Sequence, residues 1–271
     1  ERQSVAFGIA SAGGSFGQFI MAPLGQQIIQ TQGWSQALII LSVVVCAIII
    51  SAAFLQSKAS DKTYQPTNFV SQTMREALAE AAANRSYQLL TIGFFVCGFQ
   101  VAFLAMHLPA YLQDAGMTAR TSAIALALIG FFNIVGTYAC GVLGGIFPKR
   151  YILSLLYFTR AIVFSIFISF PVSEGSVYLF SIMIGLLWLG TVPLTSALVA
   201  KIFGAQYMAT LFGIVYFGHQ LGSFFGVWIG GYLFDEMNSY ELVWYGSILL
   251  GFIAALMHLP IREVSLQRAK A

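Results

Sequence analysis

The sequence predicts an all-α protein that crosses a membrane several times. Of its 271 residues, 58% are apolar and only 8% are charged, against about 25% charged residues in an average soluble domain. So few charges cannot cover the surface of a soluble fold of this length. The composition therefore disfavours a water-soluble enzyme, a nucleic-acid binder and a disordered chain, and the net charge of +3 is too small to indicate a polyanionic partner.

Eight apolar runs are long enough to cross a bilayer, which takes about 20 mostly apolar residues. Most runs are joined by short connections, and Gly, Pro, Asn or Asp mark several of their ends. In chain order, the predicted spans are Val5–Ile29, Ala37–Leu55, Gln88–Leu112, Ala119–Ile146, Tyr151–Phe170, Ser176–Ala200, Ala209–Phe234 and Glu241–Pro260.

A polar stretch, Gln56–Tyr87, separates the second span from the third. Apolar residues recur in it at helical spacing, which predicts either an amphipathic helix on the membrane surface or a solvated linker helix. The residues of this pattern are Phe69, Val70, Thr73, Met74, Ala77, Leu78 and Ala81.

The basic residues predict the orientation, because the cytoplasmic loops of membrane proteins are enriched in Lys and Arg. With residue 1 in the cytoplasm, Arg120 is the one basic residue on the outer side. Both ends then face the cytoplasm, and we expect a multi-pass protein of the inner (plasma) membrane. The cytoplasmic basic residues are Arg2, Lys58, Lys62, Arg75, Arg85, Lys149, Arg150, Lys201, Arg262, Arg268 and Lys270, and the outer acidic residues are Asp114, Glu174, Asp235, Glu236 and Glu241.

The order of two spans, a long basic loop and six spans matches the later part of a six-plus-six transporter. We therefore expect four further helices before residue 1. The predicted organisation is the last two helices of an N-terminal half (1–57), an inter-half cytoplasmic loop (58–87), a six-helix C-terminal half (88–262) and a cytoplasmic tail (263–271). The first two helices should pack apart from the six-helix half, or only loosely against it.

Small residues predict close contacts between helices, since backbones in lipid approach one another where side chains are small. The seventh span has glycine at every fourth position, and bends are expected after Pro23 in the first span and at Pro193 in the sixth. Such features suit helices that rock during alternating access, although a purely structural bundle uses them too. The glycines are Gly218, Gly222, Gly226 and Gly230.

Arg160 lies near the middle of the fifth span, where an arginine costs about 2.5–3.5 kcal/mol on insertion scales. No Asp or Glu lies deep in any predicted span, so the chain has no carboxylate to neutralise it there. A guanidinium that faces a water-filled cavity suits an anionic substrate, because its planar set of N–H donors binds a carboxylate bidentately. The alternative is a structural arginine bonded to backbone carbonyls, or to an acid on the helices that precede this chain.

His219 is central in the seventh span and is followed by Gln220. Because histidine titrates near neutrality, it can bind a carboxylate or carry a coupled proton, whereas a structural histidine would stay neutral and bond a neighbouring helix. Gln100 and Asn133 are deep enough to line a cavity or, equally, to bond between helices. The candidate substrate-binding or coupling residues are Arg160, His219, Gln220, Asn133 and Gln100, with Arg160 and His219 supplying the positive field.

Motifs for other chemistry are absent from the sequence. It has no Gly-rich phosphate loop with Lys-Ser/Thr, no His-Glu-x-x-His and no Gly-x-Ser-x-Gly. His107, His219 and His258 lie on different predicted helices, and the three cysteines lie inside apolar runs as packing residues do. We therefore predict no enzymatic activity, no catalytic residue, no metal and no cofactor.

Three stretches carry a family resemblance: Gly93-Phe-Phe-Val-Cys-Gly98-Phe-Gln100, Leu187-Trp188-Leu-Gly190-Thr-Val-Pro193-Leu-Thr195 and Phe212-Gly213-Ile-Val-Tyr216-Phe-Gly-His219-Gln220. They resemble helices seven, ten and eleven of the major facilitator superfamily, and the chain is similar to bacterial relatives of the monocarboxylate transporters and oxalate–formate antiporters. The resemblance implies a partial major facilitator fold with about eight transmembrane helices, corresponding to helices five to twelve.

The family's functional positions are only partly kept. His219 stands where oxalate–formate antiporters have a lysine implicated in dicarboxylate binding. Asn133 and Thr137 occupy the places of the Asp and Arg that handle protons and anions in animal monocarboxylate transporters. The stretch 141–150 keeps the glycines and the basic end of the loop motif after helix eight, but lacks its acidic residue.

From the residues and the resemblance together, we expect a secondary active transporter of a small organic anion, with a monocarboxylate favoured and proton coupling as an option. The expected partners are the anion, protons and the lipid bilayer, with the chain acting as a monomer together with its preceding helices. The alternative is transport of another solute, such as a drug or neutral metabolite. A signalling protein or a channel is less suited, since the sequence has neither a soluble signalling domain nor repeated polar rings.

The orientation can be tested by introducing single cysteines at Lys62 and Glu174 of the full-length protein. A membrane-impermeant thiol reagent added outside the cell should label position 174 and leave position 62 unlabelled until the cells are opened. The parent protein, with only its native cysteines, is the control for background labelling. The reverse pattern would overturn the orientation and the correspondence to helices five to twelve.

Overall fold

The structure is a computed structural model that describes residues 2–54 and 72–266. Within these ranges the chain forms nine α-helices and no β-strand, which confirms the predicted all-α class. The helices are α1 (Arg2–Phe54), α2 (Met74–Ala83), α3 (Arg85–Asp114), α4 (Ala119–Ile146), α5 (Lys149–Ser169), α6 (Glu174–Leu187), α7 (Thr191–Phe203), α8 (Met208–Met237) and α9 (Glu241–His258).

Each predicted span is largely helical, and the sixth span is divided between α6 and α7. Phe170, Leu259 and Pro260 lie just beyond the helix ends, and Leu55 lies outside the described residues. Of the described helices, six segments are long and apolar enough to cross a membrane, against the eight predicted. Helix α8, 30 residues long, is not among the six, since its glycines, His219 and Gln220 lower its hydropathy. The six segments are Gln27–Ile49, Arg85–Asp114, Ala119–Ile146, Lys149–Ser169, Glu174–Phe203 and Glu241–His258.

The first two predicted spans are joined at Gly33, where the helix is interrupted. Gly33 is the non-helical residue inside α1, with φ 80° and ψ 163°, a backbone conformation that L side chains rarely adopt. The expectation of loose packing is wrong for the segment before this break. A Cβ on Gly130 of α4 would lie 3.2 Å from Phe19 Cα, and the rings of Phe19 and Phe131 are 5.7 Å apart. By contrast, almost none of Gln27–Ile49 is buried.

Glycines bring the backbones of α3 and α8 into direct contact. A Cβ on Gly222 would collide with the carbonyl of Phe95, and one on Gly226 with the carbonyl of Phe99. From the opposite side, a Cβ on Gly98 would collide with the carbonyl of His219. The predicted glycine stripe is therefore a contact face, and α8 can approach α3 this closely only because side chains are missing there.

The predicted interruption of the sixth span at Pro193 is confirmed. Helix α6 ends at Leu187, and α7 begins at Thr191. Pro193 lies in the first turn of α7, where a backbone N–H would have no partner within the helix, so proline is tolerated there. The break leaves backbone groups without partners inside the helices themselves, so side chains must satisfy them.

Two apolar clusters fill the bundle on either side of this break. One contains Tyr157 and Leu198, and the other contains Phe164 and the fully enclosed Trp244. On α5, Arg160 lies between Tyr157 and Phe164, so it occupies the polar layer between the two clusters.

The predicted amphipathic helix is present as α2 over its described part. Thr73 and Glu76 form a reciprocal capping box at its start, and Ala77 and Ala81 are buried. Residues 55–71, which include Phe69, Val70 and much of the predicted inter-half loop, lie outside the described residues. A position on the membrane surface and a linker role both stay predictions.

The glycine contact predicts that Gly222→Ala lowers the thermal stability of the full-length protein in detergent. The added Cβ meets the backbone of Phe95, and overpacking of this kind costs about 1–3 kcal/mol. Gly213→Ala is the matched control, because nothing lies within 4 Å of that position on the same helix. There, alanine's better helix propensity should leave stability unchanged or raise it. Equal unfolding temperatures for both variants would contradict the close contact.

Candidate functional site

The guanidinium of Arg160 is enclosed within the six-helix bundle, with 1% of the residue exposed. Its NH1 group donates to Gln100 Oε1 at 3.1 Å and lies 3.7 Å from the sulfur of Cys97. Its NH2 group donates to the carbonyl oxygens of Trp188, at 2.8 Å, and Leu187. None of these partners is a carboxylate, so the guanidinium is hydrogen-bonded without a salt bridge to Asp or Glu among the described residues.

The two carbonyls that accept from Arg160 belong to the break between α6 and α7. At the carboxyl end of a helix, carbonyl groups lack partners within the helix and carry partial negative charge. The guanidinium of Arg160 satisfies the carbonyls of Leu187 and Trp188 and complements the dipole of α6 at the same time. Helix α5 thus places the charge of Arg160 directly against the break.

Asn133 binds the same break from α4. Its Oδ1 atom accepts from the backbone N–H of Leu189 at 3.0 Å and from Thr137 Oγ1 at 2.9 Å. Thr137 lies one turn further along α4, on the same face of the helix. Interhelical bonding, one of the two roles left open for Asn133, is therefore present in this structure.

Gln100 extends the network to α9. Its amide nitrogen donates to the carbonyl of Ser247 at 2.8 Å, while its oxygen accepts from Arg160. A continuous set of hydrogen bonds thus joins α9, α3, α5, the α6–α7 break and α4. Three of the five predicted site residues, Gln100, Asn133 and Arg160, belong to this network.

His219 and Gln220 lie together on α8. His219 Nδ1 is 3.2 Å from Gln220 Oε1, and the imidazole stacks on the ring of Tyr216 with centroids 5.3 Å apart. His219 is 6% exposed, and its Nε2 atom is buried without a hydrogen-bond partner. Gln220 itself is exposed. His219 thus has one ring nitrogen bonded to Gln220 and the other buried without a hydrogen-bond partner among the described residues.

Cys97 and Thr191 belong to the polar layer, although sequence reasoning assigned Cys97 to packing. The Cys97 sulfur is 3.2 Å from Thr191 Oγ1, at the first turn of α7. The sequence could have placed Cys97 near the site, because Cys97 precedes Gln100 by three residues and so lies on the same helix face. Nothing local in the sequence marks Thr191.

Several buried polar atoms of this layer have no partner among the described residues. They include a nitrogen on each of three predicted site residues, and their lack of partners costs free energy unless another molecule binds them. These atoms are Arg160 Nε, Asn133 Nδ2 and His219 Nε2. No group of three or more metal-binding side chains is found in the described part of the chain.

The network predicts that Arg160→Lys destabilises the protein. One ammonium group cannot reproduce the planar fork that reaches Gln100 and both carbonyls, and unpaired buried groups cost about 1–3 kcal/mol. Arg120→Lys, at an exposed position, is the control and should unfold as the parent does. The measurement is thermal unfolding of the purified full-length protein in detergent. Equal stability of the two variants would show that the break does not depend on the guanidinium.

Comparison with known proteins agrees with this architecture. A family model described as Major Facilitator Superfamily matches residues 1–227. The chain is 26% identical to the uncharacterized MFS-type transporter YcxA of Bacillus subtilis (strain 168), over 99% of the chain and 66% of that protein. It is 25% identical to monocarboxylate transporter 12 of Mus musculus, over 97% of the chain and 62% of that protein. The chain is also 25% identical to monocarboxylate transporter 13 of Rattus norvegicus, over 96% of the chain and 60% of that protein.

The chain therefore spans less than two thirds of the length of each of these relatives. The family model nevertheless covers well over half of the chain, including the helix break and the site residues from Gln100 to Gln220. On this match and the all-helical fold, the chain belongs to the major facilitator superfamily.

Proposed function

We propose that the full-length protein is a secondary active transporter that moves a small organic anion, a monocarboxylate, by alternating access. Membership of the superfamily and the apolar helices support a role in membrane transport rather than catalysis. Two of the similar proteins are named monocarboxylate transporters. In this proposal the protein acts as a monomer in the inner membrane, with both ends of this chain in the cytoplasm.

The observation that carries the proposal is the positive charge of Arg160 in a layer without carboxylates. Its hydrogen-bond partners are the Gln100 amide, the Cys97 sulfur and two backbone carbonyls, and none of them is a carboxylate. In a low-dielectric interior an uncompensated charge attracts an opposite one much more strongly than it would in water. A carboxylate is therefore favoured near this layer over a cation or a neutral solute.

We assign different tasks to the five candidate residues. His219 and Gln220 bind the carboxylate directly, because Nε2 of His219 is unpartnered and the Gln220 amide is exposed. Arg160 supplies the field and holds the break, and Gln100 and Asn133 hold the guanidinium and the break in position. A small rotation of these side chains would also direct Arg160 Nε or Asn133 Nδ2 at a bound anion.

Proton coupling in this proposal depends on His219. When neutral, an imidazole presents one donor and one acceptor, and when protonated it presents two donors and a charge. Protonation would therefore strengthen binding of the carboxylate, and the anion and a proton would bind and leave together. The α6–α7 break supplies a bend that can open and close as the two halves rock.

The proposed substrate can be tested by counter-flow uptake with the full-length protein in proteoliposomes, comparing lactate, pyruvate, formate and oxalate with a neutral metabolite. At least one monocarboxylate should exchange, and exchange should rise as the pH falls. Exchange of the neutral solute alone would contradict an anion site.

His219→Gln should then flatten the pH dependence of uptake, because the amide keeps hydrogen bonding but loses the titratable proton. His107→Gln is the matched control, since that histidine is bonded to the carbonyl of Val227 and lies outside the proposed site. Its pH profile should match that of the parent. Unchanged pH dependence in His219→Gln would leave His219 as a structural residue.

A further inference from the structure

A basic cleft opens at the end of the bundle where α4 ends and α5 begins. It has a volume of about 490 Å³ and lies between this connection, the end of α7 and the segment that follows α9. Four basic side chains line it, with a single acidic one. The basic residues are Lys149, Arg150, Lys201 and Arg262, and the acidic residue is Glu263.

One wall of the cleft is the segment 261–266, which is held in place by hydrogen bonds to α7 and α3. Leu266 N donates to Ile202 O at 3.0 Å, and Ser265 Oγ donates to Lys201 O at 2.8 Å. Arg262 N donates to Ser86 Oγ at 2.9 Å, near the start of α3. The cleft is therefore a built feature of the fold rather than a gap beside a loose tail.

The cleft already binds one oxyanion, the carboxylate of Glu263. Its Oε1 accepts from the backbone N–H of Arg150 at 2.7 Å, and its Oε2 is 3.2 Å from Lys201 Nζ. The N–H belongs to the first turn of α5, a helix end without a side-chain cap, which favours negative charge. One carboxylate among four basic groups leaves the cleft strongly positive.

The side chains of Lys149 and Arg262 remain available in this arrangement. No hydrogen bond or ion pair of either side chain occurs among the described residues, whereas Lys201 is paired with Glu263 and Arg150 is bonded to Ile261 O and Tyr151 OH. These two free cations can therefore bind a further anion next to the Glu263 carboxylate.

Apolar side chains around the cleft indicate where that anion comes from. Ile146, Phe147 and Val264 line the cleft and are 66%, 55% and 68% exposed, respectively. Beside them, the Arg150 guanidinium lies 4.5 Å from the ring centre of Tyr151. Basic groups next to exposed apolar and aromatic side chains, at the ends of spanning helices, are typical of the membrane interface. A soluble anion would make no use of the apolar rim.

We propose that this cleft binds the phosphate of an anionic phospholipid from the surrounding leaflet. Lys149 and Arg262 bind the phosphate, and the acyl chains cover Ile146, Phe147 and Val264. The bound lipid joins the start of α5 to the segment after α9, and so stabilises this end of the bundle. The proposal requires only that these helices span a membrane and does not depend on the transported solute.

The test uses the purified full-length protein in detergent, titrated with short-chain phosphatidylglycerol, short-chain phosphatidylcholine or inorganic phosphate, with thermal unfolding as the readout. Phosphatidylglycerol should raise the unfolding temperature of the parent, and the other two should have little effect. In Lys149→Gln/Arg262→Gln, the apparent affinity for phosphatidylglycerol should fall by about tenfold or more, since two positive charges are lost.

The matched control is Arg75→Gln/Arg120→Gln, which removes the same charge from exposed positions outside the cleft. Its response to phosphatidylglycerol should equal that of the parent. An equal response of both double variants would overturn the site. Equal effects of phosphatidylcholine and phosphatidylglycerol would show nonspecific solvation by lipid, and an equal effect of inorganic phosphate would show a soluble-anion site, so either result would also overturn the proposal.

Discussion

The bond between Arg160 and the broken helix α6–α7 is the constraint on which the packing of α3–α9 depends. Separately, each partner is costly inside a membrane protein: a buried guanidinium needs hydrogen-bond acceptors, and the carbonyls of a broken helix need donors. The carbonyls of Leu187 and Trp188 meet both needs by accepting from the guanidinium. Asn133 satisfies the remaining polarity of the break by accepting from the N–H of Leu189. The bend introduced near Pro193 is therefore stabilised rather than merely tolerated.

Within the part of the chain that the structure describes, Arg160 is held in place by hydrogen bonds rather than by a salt bridge to a carboxylate. Among the described residues, its partners are the Gln100 amide, the Cys97 sulfur and two backbone carbonyls. Of the two interpretations of Arg160 that the sequence left open, the structure shows the bonds to backbone carbonyls, and contact with a substrate stays a prediction. The same holds for Gln100, which positions the guanidinium while bonded to α9. Any movement of the break would move the charge and its supports together.

Close backbone packing brings the helices near enough for these bonds to form. The contact of α3 with α8, through Gly98, Gly222 and Gly226, places Gln100 and His219 on neighbouring helices of one bundle. At the start of α5, Glu263 provides an acidic group beside the basic end of 141–150, the loop stretch that has no acidic residue of its own. A missing partner in a local motif is thus supplied by a residue more than a hundred positions later.

The sequence by itself determined the helical class, the order of the apolar segments, the break at Pro193 and the glycine face of α8. Each of these depends on hydropathy, helical spacing or the missing N–H of proline, which act over a few turns of one chain segment. Only the tertiary structure decided that Arg160 bonds the carbonyls of Leu187 and Trp188, that Asn133 bonds Leu189, and that the first helix packs against α4. These contacts join residues far apart in sequence, and they depend on how each helix is rotated against its neighbours. Local periodicity shows which residues share a face, but not which other helix that face will meet.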